Sequence, residues 1–141
     1  MPRADFYLIA KPRFLETPLL LVCELARKAN DSGQSLVILA SSQQQAELLD
    51  ELLWEFDPDA YIPHQIAGVD EDDDLTPVLI APPESDVPMR PLVLNLRDGA
   101  VDGAVERVLE VVPADASARE PLRARWKQYK DRGFEVNKFD M

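Results

Sequence analysis

The sequence predicts an α/β fold in which helices cover both faces of a mostly parallel sheet, giving a three-layer α/β/α domain. Short apolar runs of strand length alternate with amphipathic stretches of helical length from the start of the chain. These runs lack polar alternation, which is typical of strands buried on both faces. With 141 residues, 46% of them hydrophobic, a single domain spanning residues 1–141 can bury such a core.

The first half of the chain follows the order strand, helix, strand, helix, which is a βαβ-type beginning. Pro12 stops the first apolar run, and Pro18 fits the first turn of the helix that follows. Ser42 and Gln45 have the spacing of a capping box at the start of the next helix. The predicted segments are a strand at residues 4–10, a helix at 18–30, a central parallel strand at 35–40 and a helix from residue 42 to about 56.

The second half of the chain predicts shorter elements separated by proline-rich and acidic loops. The run Asp70 to Asp74 is expected to be a solvated loop, because closely spaced carboxylates repel one another. Gly103 to Val112 carries valine and leucine at helical spacing and predicts a helix that ends at Pro113. The remaining predicted segments are strands at residues 61–66, 77–81 and 91–96, a basic helix from residue 119, and a last strand or docked tail at 134–139.

The residues that catalysis or nucleotide binding requires are missing. The turns after the first two strands, at residues 10–13 and 41–43, contain no glycine, and neither GxxxxGK nor GxGxxG occurs. His64 is the only histidine and Cys23 the only cysteine, which we expect to be a buried thiol. We therefore expect no enzyme activity, no cofactor and no metal site.

The chain also lacks the features of a membrane or secreted protein. It has no apolar run of the roughly 18 residues that a membrane span requires, and its N-terminus lacks the pattern of a signal peptide. A cytoplasmic protein is expected. The net charge of −11 argues against a protein that wraps the phosphate backbone of nucleic acid.

The C-terminal segment from Arg119 reverses this acidic balance. Residues 119–141 hold seven Lys and Arg against four Asp and Glu, whereas residues 1–118 hold eight against 22. On a helix, four cations form one stripe beside an apolar side made of Leu122, Trp126 and Tyr129, and Gly133 ends the helix. The pattern fits either a partner-binding surface for an acidic peptide or a solvated amphipathic helix. The stripe consists of Arg119, Arg123, Lys127 and Lys130.

Trp54 lies on the polar side of its predicted helix, three and four residues after Glu51 and Asp50. A core tryptophan would not lie there, and exposed aromatic residues are enriched at protein interfaces. Tyr61 and Ile62 are close enough in sequence to share one patch with Trp54. The alternative is that the following loop folds over the indole ring.

The stretches LLWEFDPDAYIPHQIAG and PLRARWKQYKDRGFEVN resemble the chi subunit family of bacterial DNA polymerase III holoenzyme. The FYL opening, the LVCELA helix, the VILASSQQQAELLDELLW segment and the RARWKQYKDRGF ending follow the order of the family. The resemblance implies a Rossmann-like, mononucleotide-binding-like domain without a phosphate-binding loop and without a catalytic role. It also implies an adaptor that joins the clamp-loader complex, through a 1:1 heterodimer with the psi subunit, to the C-terminal tail of single-stranded DNA-binding protein.

Carried onto this chain, the resemblance assigns residues to two binding sites. The psi-facing residues are Trp54 and Tyr61, with Ile62 in the same patch. The tail-binding pocket uses Arg123, surrounded by Arg119, Val112, Trp126, Lys127 and Gly133. The alternative function is a degenerate nucleotide-binding or helicase-accessory domain that contacts nucleic acid directly, and the missing phosphate loop and acidic body favour the adaptor.

Overall fold

The computed structural model of the protein describes residues 2–55, 62–68, 76–85, 90–97, 99–101, 105–113, 117 and 119–141. Its strands are β1 (Arg3–Leu8), β2 (Leu36–Leu39), β3 (His64–Ile66), β4 (Val78–Ala81), β5 (Leu92–Asn95), β6 (Arg107–Val112) and β7 (Glu135–Asp140). Its helices are α1 (Pro12–Glu16), α2 (Leu19–Asp31), α3 (Gln43–Glu55) and α4 (Arg119–Asp131). The strands form one sheet in the order β3-β4-β2-β5-β6-β1-β7, and each of the six ladders is parallel.

Helices cover both faces of this sheet, as the sequence predicts. On one face, Leu25 of α2 and Leu49 of α3 share a buried cluster with Ile38 and Leu94 of the central strands. On the other face, Tyr129 of α4 belongs to a second cluster that includes Phe6, Val37 and Val93. Neighbouring strand residues therefore point into different clusters, which explains why the strands are apolar throughout. The three-layer Rossmann-like fold is confirmed.

The connections leave a crevice at the carboxyl edge of the sheet, between β1 and β6. These two strands are neighbours, with Leu8 opposite Val112 at their carboxyl ends. The chain leaves β1 toward α2 on one face of the sheet, and it leaves β6 toward α4 on the other face. Connections that diverge in this way define the position where open α/β sheets generally bind ligands.

The start of α3 shows the capping interaction predicted from Ser42 and Gln45. The Gln45 backbone N–H donates to Ser42 Oγ at 3.0 Å, which satisfies one of the free N–H groups of the first helical turn. Gln45 Oε1 in turn accepts from the backbone N–H of Ser41 at 2.7 Å. The glutamine thus reaches one residue further back than in the standard capping box.

The predicted helix at Gly103 to Val112 is wrong. Residues 107–112 form β6, which pairs with β5 on one side and β1 on the other. Val105, Val108, Leu109 and Val112 fit helical spacing, but a strand buried on both faces carries apolar residues at the same positions. The valine-rich run, with β-branched side chains that favour strands, was the better indicator. Residues 102–104 lie outside the described part of the chain.

Other predictions have mixed outcomes. The last segment is a strand, β7, which pairs with β1 at the edge of the sheet. β1 ends at Leu8, before the predicted end at residue 10, and Pro12 instead begins the short helix α1, which was not predicted. Cys23 is fully buried, as predicted, and burial raises the pKa of its thiol to about 12. The acidic run at residues 70–74 lies outside the described residues. No helix in the described part of the chain is long and apolar enough to span a bilayer.

Candidate protein-interaction surfaces

Helix α4 docks on the sheet through its aromatic side chains. The ring of Phe6, in β1, lies 5.2 Å from that of Trp126 and 6.0 Å from that of Tyr129, measured between centroids. Tyr129 is fully buried, whereas Trp126 and Leu122 are partly buried. The predicted apolar side of the helix, made of these three residues, is therefore confirmed.

A buried polar network fixes the position of α4. Glu110 of β6 is 1% exposed, and its carboxylate accepts hydrogen bonds from Tyr129 Oη at 2.6 Å and Asn95 Nδ2 at 2.8 Å. Arg125 Nε forms an ion pair with the same carboxylate at 3.0 Å. Burial is the main influence on this carboxyl, and it raises the pKa of Glu110 despite these partners.

Sequence reasoning missed this network, although it left two signals. Glu110 interrupts an otherwise apolar strand, and Arg125 lies four residues before Tyr129 and therefore on the same side of α4. A buried acid needs a cationic or hydrogen-bonding partner. Arg125 was therefore the basic residue of α4 that should have been assigned to the core rather than to solvent.

The basic surface of the protein is the stripe of Arg119, Arg123, Lys127 and Lys130. All four side chains are exposed. Within the described residues no ion pair involves Arg119, Arg123 or Lys127. These cations are thus open to an acidic partner, in contrast to Arg125 on the opposite flank of the helix.

The structure places the other predicted tail-binding residues at different depths. Val112 is 3% exposed and belongs to the cluster against which Trp126 packs, so it is part of the core rather than of the surface. Gly133 is exposed and ends α4 with a φ of 87°, and the N–H of Phe134 donates to the Tyr129 carbonyl at 3.0 Å. Arg123 lies eight residues before Asp131, the last residue of α4, which is about 12 Å along the axis, and Gly133 lies beyond that end.

Trp54 is exposed near the end of α3, as predicted. Its side chain is 56% exposed, and its ring lies 4.8 Å from that of His64 between centroids. His64 is held from both sides, because Nδ1 lies 2.7 Å from the Ile62 carbonyl and Nε2 lies 3.0 Å from the Asp50 carbonyl. The histidine ring is therefore held in place and packs against one side of the indole.

The two residues predicted to share a surface patch with Trp54 are Tyr61 and Ile62. Ile62 is 2% exposed and packs in the core cluster under α3, so the expectation that it shares a surface patch with Trp54 is wrong. Its apolar side chain is needed to cover α3 where the chain enters β3. Tyr61 lies outside the described residues. Leu48, on the same helix, is 51% exposed and was not predicted as a surface residue.

A cleft of about 320 Å³ lies at the carboxyl edge of the sheet, in the crevice between β1 and β6. Pro113, Pro121 and Arg125 contribute to its wall, but neither Arg123 nor Trp126 does. The sequence placed the tail-binding pocket between α4 and the Val112–Pro113 turn; the cleft lies there, but Arg125 rather than Arg123 lines it. The lining residues are Ile9, Pro18, Leu19, Val22, Gln45, Asn95, Leu96, Arg97, Glu110, Val111, Pro113, Ser117, Pro121 and Arg125.

Solved structures with similar folds include a DEAD-box protein and T4 UvsW. The C-terminal domain of the DEAD-box protein Dbp5 superposes with a TM-score of 0.61 at 15% identity, covering 99% of this chain and 90% of that one. The T4 UvsW structure gives a TM-score of 0.66 at 10% identity, covering 99% of this chain and 41% of that one. At these identities the likeness concerns the fold alone. The class of protein is thus a three-layer Rossmann-like α/β domain.

Sequence relatives are more specific. The family model described as DNA polymerase III chi subunit, HolC, matches residues 1–137. DNA polymerase III subunit chi of Escherichia coli K12 is 32% identical over 143 residues, covering 97% of each chain. The Pseudomonas aeruginosa PAO1 subunit is 33% identical over 139 residues, covering 95% of this chain and 93% of that one. The chain belongs to the chi subunit family of DNA polymerase III, and it is an accessory subunit rather than the catalytic one.

Proposed function

We propose that the protein is a non-catalytic adaptor that binds the psi subunit of the clamp-loader complex and the acidic C-terminal tail of single-stranded DNA-binding protein. It acts in the cytoplasm, where the bacterial replisome works. The observation that carries this proposal is the placement of Trp54 and the basic surface on opposite layers of the fold. Trp54 lies on α3 and Arg123 on α4, and the sheet separates the two helices. Two partners can therefore bind simultaneously.

The basic surface has the chemistry that an acidic peptide needs. Arg123 and Trp126 are three residues apart on α4, so a cation and a partly buried indole lie within one helical turn. The planar guanidinium of Arg123 can bond both oxygens of a terminal carboxylate, whereas a lysine offers a point charge. Arg119 and Lys127 extend the positive field along the peptide and matter most at low salt. An aromatic side chain at the end of the peptide would pack against Trp126.

The Trp54 surface has the chemistry of an apolar anchor. An indole that is more than half exposed gains from being covered, and the flanking acids Asp50 and Glu51 provide a polar rim. His64 supports the ring in one orientation, which lowers the entropy lost when a partner covers it. We include Tyr61 in this site on the strength of the family resemblance.

The tail site is tested by titrating wild type and variants with a labelled tail peptide. A hydrogen bond to a charged group contributes about 1.5 to 3 kcal/mol, so Arg123→Ala should lose on the order of tenfold to a hundredfold in affinity. Arg123→Lys keeps the charge and should recover only part of the loss. Lys28→Ala is the matched control, because it removes an exposed cation on α2, which packs on the opposite face of the sheet from α4. A peptide that lacks its last residue should bind weakly; equal binding of both peptides would exclude recognition of the terminal carboxylate.

The psi site is tested by co-purification with psi. Trp54→Ala should weaken the complex by about 2 kcal/mol or more if Trp54 is a hot spot, with little change in melting temperature. Leu48→Ala is the matched control, since Leu48 is similarly exposed on the same helix. The adaptor model further requires that Trp54→Ala still bind the tail peptide and that Arg123→Ala still bind psi. Loss of both interactions in one folded variant would contradict two separate sites.

The same proteins test the alternative of direct nucleic-acid contact. Fluorescence titration with single-stranded oligonucleotide should give no tight binding by the isolated chain, because residues 1–118 carry a large negative net charge. Tight, salt-dependent binding of the oligonucleotide would favour the degenerate nucleotide-binding or helicase-accessory domain instead.

A further inference from the structure

Arg97, at the carboxyl end of β5, is held in one orientation by three backbone carbonyls. Its Nε donates to the Ala40 carbonyl at 3.0 Å, and its Nη2 donates to the Ala81 and Pro82 carbonyls, each at 3.0 Å. These acceptors lie just after β2 and at the end of β4, so the guanidinium ties the ends of two strands together. The acceptors are neutral, and the positive charge of the side chain remains.

Two other arginines that reach into the interior are paired with acids. Arg107 pairs with the buried Asp5 at 2.7 Å, and Arg125 pairs with Glu110 at 3.0 Å. Arg97 forms no ion pair with any residue that the structure describes. Burial also lowers the pKa of Arg97. A partly buried guanidinium without an acidic partner favours binding of an external anion.

The surroundings of Arg97 form a cleft that can hold more than a bare ion. Arg97 lines the cleft of about 320 Å³ at the carboxyl edge of the sheet, where open α/β sheets bind ligands. Much of the wall is apolar, with Ile9, Leu19 and Val22 among its residues. Gln45 also lines the cleft. Its side-chain oxygen accepts hydrogen bonds from Ser41, so its side-chain nitrogen can donate to a ligand. Convergent polar groups in a mostly apolar cavity are typical of small-molecule sites.

We propose that this cleft binds a small amphipathic molecule with one oxyanion group, a phosphate monoester or a carboxylate, on an apolar or flat body. Arg97 binds the oxyanion, and the apolar wall accommodates the body. The Glu110 carboxylate also lines the cleft, but its pairing with Arg125 cancels its charge. One uncompensated guanidinium balances about one negative charge. A nucleoside triphosphate fits poorly, because the nearby turns at residues 10–13 and 41–43 lack the glycines that cradle phosphates.

The proposal is tested by calorimetric or NMR titration of the full chain with matched pairs of probes. Adenosine monophosphate is compared with adenosine, and N-acetylphenylalanine with N-acetylphenylalanine amide. The charged member of at least one pair should bind ten or more times as tightly as its uncharged counterpart. The pair that discriminates tells whether the oxyanion is a phosphate or a carboxylate. Inorganic phosphate alone should bind more weakly than the discriminating probe, since it cannot use the apolar wall.

Two variants locate the binding within the molecule. Arg97→Gln should lose at least tenfold in affinity for the charged probe, and Leu19→Trp, which adds bulk to the wall, should block both members of a pair. Lys28→Gln removes an exposed cation on α2, outside both the cleft and the basic surface, and should bind the probe as wild type does. If Arg97→Gln fails to fold, Leu19→Trp and the charged-to-uncharged ratio decide the question.

Two results with the wild-type protein would overturn the proposal: equal affinity of charged and uncharged probes, or no binding of either charged probe. Unchanged binding by folded Arg97→Gln and Leu19→Trp would do so as well. Tail-peptide affinity should be unaffected by Leu19→Trp, because the basic surface does not line the cleft. Failure of the cleft proposal is thus distinguishable from failure of the adaptor proposal.

Discussion

Replacing Glu110 by alanine should be among the most destabilising single changes in this protein. The substitution removes the carboxylate that accepts hydrogen bonds from Tyr129 and Asn95 and forms an ion pair with Arg125, at distances of 2.6 to 3.0 Å. Arg125 is only 8% exposed and would be left as a buried charge without this partner. Removing one partner of a buried ion pair costs about 3 to 5 kcal/mol, and the lost hydrogen bonds of Tyr129 and Asn95 act in the same direction. We expect Glu110→Ala to lower the free energy of unfolding by about 3 to 5 kcal/mol at pH 7.

Urea denaturation followed by circular dichroism measures this loss as a shift in the midpoint at constant slope. The double variant Glu110→Leu with Arg125→Met separates the buried charge from the general loss of packing. It replaces the pair with apolar groups of similar size, so it should be more stable than Glu110→Ala. The reasoning is refuted if Glu110→Ala unfolds within about 1 kcal/mol of wild type, since that value is below the cost of an uncompensated buried charge.

Three further predictions follow from the same structure. Burial raises the pKa of Glu110 in the folded state, so above the unfolded-state pKa of about 4.3 the folded protein binds more protons than the unfolded protein. The free energy of unfolding of wild type relative to Glu110→Gln should therefore fall as pH rises from about 4. Urea titrations at several pH values measure this difference, and a constant difference would contradict the raised pKa. Gly133→Ala should cost about 1 to 2 kcal/mol because φ is 87°, whereas Gly99→Ala, also with no atom within 4 Å of the added carbon and with no positive φ, should cost little in thermal melts. The buried Cys23 thiol, with its pKa near 12, should resist iodoacetamide in the native protein at pH 8 and react in urea, as mass spectrometry will reveal; fast native alkylation would contradict its burial.

Local sequence patterns were sufficient to predict the elements whose structure depends on residues within the same element. Pro18 and the apolar spacing from Leu19 onward predicted α2, and the position of Trp54 relative to Asp50 and Glu51 predicted an exposed indole. The same reasoning failed at β6, because its apolar spacing fits a helix as well as a doubly buried strand. Only pairing with β1, more than 100 residues earlier in the chain, decides between them.

The polar parts of the molecule were the least predictable from sequence. Arg125 and Arg123 are two residues apart in one basic stretch, yet one is paired in the interior and the other is exposed. The difference depends on which side of α4 faces Glu110. That side cannot be predicted without knowing the strand order and register of the sheet. Arg97 is similar, because its three acceptors lie 15 to 57 residues away and converge only when β2, β4 and β5 are adjacent. Ile62 was misassigned for the same reason, since nearness in sequence to Trp54 says nothing about depth.

The pairing of β1 also determines when the fold can be completed during synthesis. Arg3 lies opposite Arg107 in β6 and Glu135 in β7, so both partners of the first strand are made more than 100 residues after it. At about 5 to 20 residues per second, β1 waits roughly 5 to 20 s on the ribosome for a neighbour. In the sheet, strands β2 to β5 pair only with one another and with the later β6, so this part of the sheet can assemble without β1. The apolar β1 is then an open edge during translation, and it is the segment of this protein most exposed to chaperones and to misassembly.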